Sequence, residues 1–265
     1  MDSTCRRSTF ALAGCPPLAA WALVAILLVP PGAGLAQEGV PLTADSRVVT
    51  RTIAEGDSAA GWIATARVPN IEGPAAAEPG WTGFEATVDS VVAAEIEEFH
   101  ANLAEWESPD REWISSFDAD GSVLWAHPPI LSIVLDVTVF YVGAAHPGHY
   151  AITLVWDADL RRALTTDDLF SAGSAWEEVL SEAAIPALES DLEEMADAGW
   201  IAEGAGPDPT NFTRWALVGE GLIVFFDPYQ VAPYAAGPQA VTIPRAALAE
   251  VADPVGPLAP LQVGD

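Results

Sequence analysis

Lysine is absent. All ten basic residues are arginine, and they face 38 acids for a formal net charge of −28. A field of that sign repels phosphate backbones and anionic bilayers, which excludes nucleic acid as a partner and draws cations and basic proteins instead. Abundant acid and alanine without lysine also fits a chain adapted to salt, and charge alone does not choose between these origins. Cysteine is nearly missing as well: Cys5 and Cys15 are the only two, both near the start. Everything downstream lacks disulfides, thiol nucleophiles and cysteine ligands for zinc, so an ordinary apolar core must hold it. A membrane-length apolar run is also missing. Leu18–Val29 is about a dozen residues, short of the ~20 a spanning helix needs, and Pro30, Pro31 and Gly32 close it. There is no Gly-x-Ser-x-Gly elbow, no phosphate-cradling glycine loop and no His-Glu-x-x-His, so the chain reads as a non-enzyme without cofactors.

What the chain does have begins with a leader. Residues 1–36 read as a signal peptide: Arg6-Arg7 as the basic region, Leu18–Val29 as the apolar region, and Gly34-Leu-Ala36 as the cleavage site. Three rivals stand beside it. Leu12-Ala-Gly-Cys15 has the form of a lipoprotein box, although the apolar run follows the cysteine. Arg6-Arg7 with Phe10 approximates a twin-arginine signal, one residue out of register. An uncleaved anchor is the third. Removing Asp2, Arg6 and Arg7 with the leader leaves 37 acids against eight arginines, or −29, on a periplasmic or secreted chain.

Past the leader, Arg47–Ile53 and Gly61–Val68 read as a hairpin, and Pro69–Gly83 as a loop. Phe84, Val88, Val91, Val92, Ile96, Phe99, Leu103 and Trp106 recur at helical steps, predicting an amphipathic helix over 84–106. A second hairpin is expected across Asp118-Ala-Asp-Gly121, a central strand over Ile130–Val142, and another over Tyr150–Asp157. Ser174-Ala-Trp-Glu177 has the form of a capping box opening a helix over 174–198, which Pro186 should kink or split and Gly199 should cap. Asn211–Val218 should pair with Leu222–Phe226, whose apolar run Asp227-Pro228 stops. Residues 253–265 read as a disordered tail. The expected fold is α+β: an antiparallel sheet with two main helices packed against it.

Several blocks resemble one bacterial extracytoplasmic family, the RsiV- and PdaC-type domain of unknown function. They are the Phe226-x-Pro-Tyr229 turn, the second Pro233-Tyr234, Gly237 and Val241-Thr-Ile-Pro244. Upstream stand Val68-Pro-x-Ile71-x-Gly73 before the long helix, Gly143-Ala-Ala-His-Pro147, Asp157, and Leu164-Thr-Thr-Asp-Asp-Leu-Phe170. The likeness covers about residues 45–252. It implies a PdaC-type half over 37–110 and an RsiV-type half over 111–252 sharing one unit. It also implies a non-catalytic binding or sensor role, since the family's anti-sigma member captures lysozyme and its deacetylase member keeps catalysis in a separate domain. The partner so implied is a lysozyme-like cationic protein or a cell-wall glycan. Without a cytoplasmic sigma-binding region, capture is implied and signalling is not. An undetected hydrolase is the third reading.

Asp227, Tyr229, Tyr234 and Trp215 are the candidate binding residues. Tyrosines on a proline-punctuated loop offer amphipathic contact area at low entropic cost, although the same rings could fold back over the sheet as core. His146-Pro-Gly-His149 is the weak metal candidate. Two histidines about a Pro-Gly turn share no helical face and no cysteine can join them, so a plain turn is the preferred reading. Protein recovered from its native host should begin at Gln37 on N-terminal sequencing. A start at Met1 would mean an anchor, and a lipid-modified Cys15 a lipoprotein.

Overall fold

The run Ile130–Phe140 carries apolar side chains on both faces, and most of the fold follows from covering both. The computed structural model describes residues 39–103 and 113–259. The expected leader, Trp106 and residues 260–265 lie outside the described residues. Ile130–Phe140 is β5, flanked antiparallel by β4 (Ser115–His127) and β6 (Gly148–Asp157). Outside β4 come β3 (Trp62–Glu72), β2 (Ser46–Asp57) and β1 (Val40–Thr43), and outside β6 the short β7 (Arg162–Ala163), giving a seven-stranded sheet in sequence order. Every pair is antiparallel except β3 and β4. A parallel pair needs a crossover, and α1 (Phe84–Leu103) supplies it.

Helix α1 buries Phe84, Val88, Val92, Ile96 and Phe99 as one stripe. They meet Ala64, Ala66, Val68 and Phe117 together with the odd-numbered residues of β5, Leu131 to Val139. The even face of β5 carries Ile130 and Ser132 toward a second core. That core is built on a separate sheet of order β10-β9-β8, from β8 (Trp215–Val218), β9 (Gly221–Phe226) and β10 (Gln239–Pro244). Helix α2 (Trp176–Leu192) packs Leu180, Ala184, Leu188 and Leu192 into this second core, with α3 (Ala198–Gly204) and α4 (Arg245–Leu248) beside it. The α+β expectation holds, with the strands divided between two sheets and the second helix on the smaller one.

Several local expectations give way to tertiary context. Asp118–Gly121 is no hairpin turn but the middle of β4: Ala119 is buried, and Asp120 pairs with Arg67 on the neighbouring parallel strand. Gly121 is there for closeness, since a β-carbon would lie 2.5 Å from Pro69 Cδ. Pro69 itself stays in β3, past the end of the β4 pairing at Arg67, where it breaks no second ladder. Pro186 sits inside an unbroken α2. No capping box forms at Ser174, whose hydroxyl is spent on the Val251 carbonyl (3.4 Å); the box occurs instead at Thr165 and Asp168. Gly199 is the second residue of α3, inside the helix, and caps nothing. The tail from 253 is packed through residue 259, because Leu258 is buried and Arg245 Nη1 donates to the Pro257 carbonyl at 2.9 Å.

Phe226 is fully buried with its ring edge-on to Phe212, whereas Phe225 on the other face is half-buried. Phe226→Ala should therefore cost about 3–5 kcal/mol and Phe225→Ala about 1–2 kcal/mol in urea denaturation. Equal losses would contradict the register of β9.

Candidate functional site

Proline ends β9 at Asp227-Pro228, and the loop that follows turns on one side chain. Gln230 accepts from the Asp227 amide at 3.1 Å and donates to the Gly204 and Asn211 carbonyls at 2.9 and 3.0 Å. Its backbone presses so close to α3 that a β-carbon on Gly204 would fall 1.9 Å from the Gln230 oxygen. The Trp200 indole N–H donates to the Tyr229 carbonyl at 3.0 Å, and the Tyr229 amide donates to the Ala232 carbonyl at 3.1 Å. Held from all these directions, Tyr229 takes φ +72°, a left-handed conformation that costs a side-chain-bearing residue about 1–2 kcal/mol. The residue gains little burial in return, being 56% exposed.

That ring stands at a cleft of about 520 Å³ between the loop, α1 and the ends of β5 and β6. Tyr234 lies 5.8 Å from it, donates its phenol to the Pro147 carbonyl at 2.6 Å, and stacks under His146 at 3.8 Å. From α1, Glu95, Glu98 and Asn102 enter on one face at helical spacing. Tyr150 donates to Glu95 Oε2 at 2.5 Å. Burial first, then that bond, pushes its phenol well above its ordinary pKa, so it stays a neutral donor. Burial raises Tyr141 likewise. Arg214 stands 5.7 Å over the Tyr150 ring, pairs with Asp227 at 2.7 Å and donates to the Ala151 carbonyl at 2.9 Å. The chain has four tyrosines, and all four (Tyr141, Tyr150, Tyr229, Tyr234) line this one cleft.

Of the residues singled out in the sequence, Asp227, Tyr229 and Tyr234 meet here. His146 and His149 line the cleft too, with each Nδ1 engaged: His146 with the Pro147 carbonyl, His149 with Thr138 Oγ1. Among the described residues no group of three or more His, Asp or Glu side chains is placed to share a metal ion. Trp215 is corrected to a core residue: it is 7% exposed, and its indole N–H donates to Thr166 Oγ1 at 3.1 Å. The sequence reading missed Glu95, Glu98, Tyr141, Tyr150 and Arg214. The scarcity of tyrosine was the one available signal. His100 and His127, with no evident partner in the sequence, lie against the Trp62 and Trp125 rings.

This two-sheet α+β architecture is shared with a crystal structure of a DUF3298 family member from Bacteroides fragilis. That structure aligns at a TM-score of 0.50 and 18% identity, over 80% of this chain and 95% of its own, a likeness of fold alone. Residues 167–246 match the family model DUF3298, described as a protein of unknown function. That stretch holds α2, the small sheet and the Tyr229–Tyr234 loop, but neither α1 nor Tyr150. The chain is also 33% identical over 107 residues to immunogenic protein MPT64 of Mycobacterium tuberculosis, covering 40% of this chain and 45% of that protein. It is 30% identical over 111 residues to the peptidoglycan-N-acetylmuramic acid deacetylase PdaC of Bacillus subtilis, covering 42% of this chain and 24% of that protein. The matches thus span less than half the length of these curated relatives.

The strain at Tyr229 is measurable. Tyr229→Gly should be about 1–2 kcal/mol more stable than Tyr229→Ala in urea denaturation, because both lose the ring and only alanine keeps a β-carbon at positive φ. An alanine variant as stable as the glycine variant would refute the left-handed loop.

Proposed function

We propose that this chain is an exported, non-catalytic capture module of the cell envelope that takes its ligand in the tyrosine-lined cleft. The observation that carries the reading is the convergence of all four tyrosines on one concavity. Sites of this size, with aromatic walls and a few fixed polar groups, are the usual form of a binding pocket. Two of its acids are engaged in bonds that shape it, Glu95 with Tyr150 and Asp227 with Arg214, which favours binding over acid–base chemistry. Similarity to PdaC, by name a peptidoglycan deacetylase, supports placement at the envelope. Among the described residues no helix is long and apolar enough to cross a membrane.

For the occupant we favour a cationic wall-lytic protein of the lysozyme type, since the net charge of −29 without the leader would accelerate its approach. Cell-wall glycan is the second reading, favoured by the exposed Tyr229 ring and the Tyr234–His146 stack, flat surfaces on which sugar rings can rest.

Surface plasmon resonance on the protein purified without its leader separates them. With lysozyme as analyte, the association rate should fall steeply as screening shortens from ~10 Å at 0.1 M salt to ~3 Å at 1 M. Tyr229→Gly, which spares the fold, should raise the dissociation rate about tenfold or more. Binding of a muropeptide but not lysozyme would select the glycan reading. Failure of both at low salt would end the capture proposal and leave the acidity as adaptation to the medium.

A further inference from the structure

Among the described residues, the cleft holds more negative charge than its own cations balance. Three carboxylates line it, Glu95, Glu98 and Asp227, with one guanidinium, Arg214. Arg214 is already matched: Nε pairs with Asp227 at 2.7 Å and Nη1 donates to the Ala151 carbonyl. Glu95 accepts one neutral hydrogen bond from Tyr150, which fills one lone-pair site and cancels no charge. Among the described residues, neither Glu95 nor Glu98 lies in a salt bridge with arginine. Two formal negative charges therefore remain on one helix face, beside tyrosine rings whose π faces attract cations.

Resting on the reading of the cleft as the binding site, we propose that the ligand group it selects is a protonated amine or guanidinium, held by Glu95 and Glu98 beside the tyrosine rings. An anionic group would meet uncompensated carboxylates. A neutral group would gain contact with the rings but leave both charges unanswered. A cation uses both features at once, and about 520 Å³ admits it together with an alkyl stem. Burial keeps Tyr141 and Tyr150 protonated, so the rings add no charge of their own. The same chemistry arises on a lysine or arginine side chain of a protein and on a free alkylamine.

The scarcity of tyrosine supplies the assay. Incorporating 3-fluorotyrosine gives four ¹⁹F resonances, every one a reporter on the cleft. Nα-acetyl-lysine amide and Nα-acetyl-arginine amide should shift them saturably. Nα,Nε-diacetyl-lysine amide, the same stem without charge, should bind at least tenfold more weakly. Glu98→Gln, at an exposed position, should weaken the lysine amide by a similar factor while leaving the thermal midpoint unchanged. Perturbation of the same resonances by lysozyme would place the group on a protein; response to the amides alone would mark a small free amine. Equal binding of the diacetylated probe, or a response to chitotetraose with none to the amides, would overturn the cation assignment while leaving the cleft as the binding site. Four unmoved resonances under every probe, with lysozyme still captured on the sensor surface, would instead remove the cleft itself.

Discussion

β8 is an edge strand of the small sheet, so its outer side presents backbone donors that no ladder satisfies. One of them, the Leu217 amide, is buried where β8 crosses β4, β5 and β6, and Ser132 Oγ takes it at 3.0 Å. Unmet, that amide would cost about 1–3 kcal/mol. Ser132 is itself fully buried on the one strand whose two faces feed two different cores. This polar contact fixes where the small sheet rests on the large one. Apolar packing alone would tolerate a slide along the strand; a hydrogen bond between fully desolvated groups does not.

The position of the cleft follows from that joint. Arg214 immediately precedes β8 and Asp227 immediately follows β9, and the Phe225 amide donates to the Arg214 carbonyl at 2.8 Å, holding this end of the hairpin together. With β8 pinned at Ser132, this open end falls beside β6, where Arg214 reaches the Ala151 carbonyl and covers the Tyr150 ring. Tyr150 also packs against the core that α1 covers, and its phenol meets Glu95 there. The cleft therefore draws on both layers at once, which explains why a domain match confined to 167–246 contains only part of it.

That division also explains what could be read beforehand. Elements with strong periodicity were legible: the α1 stripe, β5 and the β8–β9 hairpin appear much as their residues suggest. Asp118-Ala-Asp-Gly121 was not, because its turn-like composition serves the parallel β3–β4 contact, a relation between residues 53 apart, as Arg67 and Asp120 show. Pro186 and Pro69 mislead for the same reason, since tertiary packing outweighs a local penalty. In the site, Asp227, Tyr229 and Tyr234 were legible because they share one proline-marked loop. Glu95 and Glu98 looked like any solvated helix face until β6 brought Tyr150 against them. Trp215 misled in the opposite direction, since a tryptophan at the head of a strand gives no sign of which side it faces.

Acidity and strain together separate stability from use in this molecule. Asp136 sits directly opposite Asp120 across β4 and β5, and partial desolvation, then that neighbouring charge, raises its pKa, so this pair of acids does nothing to hold the two strands together. Such scattered acids fit adaptation to the medium as well as anything else. The cleft differs in that its features are coordinated. Tyr229 is held in a conformation that glycine would adopt more easily, by hydrogen bonds that involve Gln230, Trp200 and Ala232. The exposed aromatic ring so displayed stands where three other tyrosines converge with two carboxylates that, among the described residues, have no arginine partner. A drift toward salt tolerance accounts for the charge and for none of that arrangement, and the arrangement is what the proposed binding role rests on.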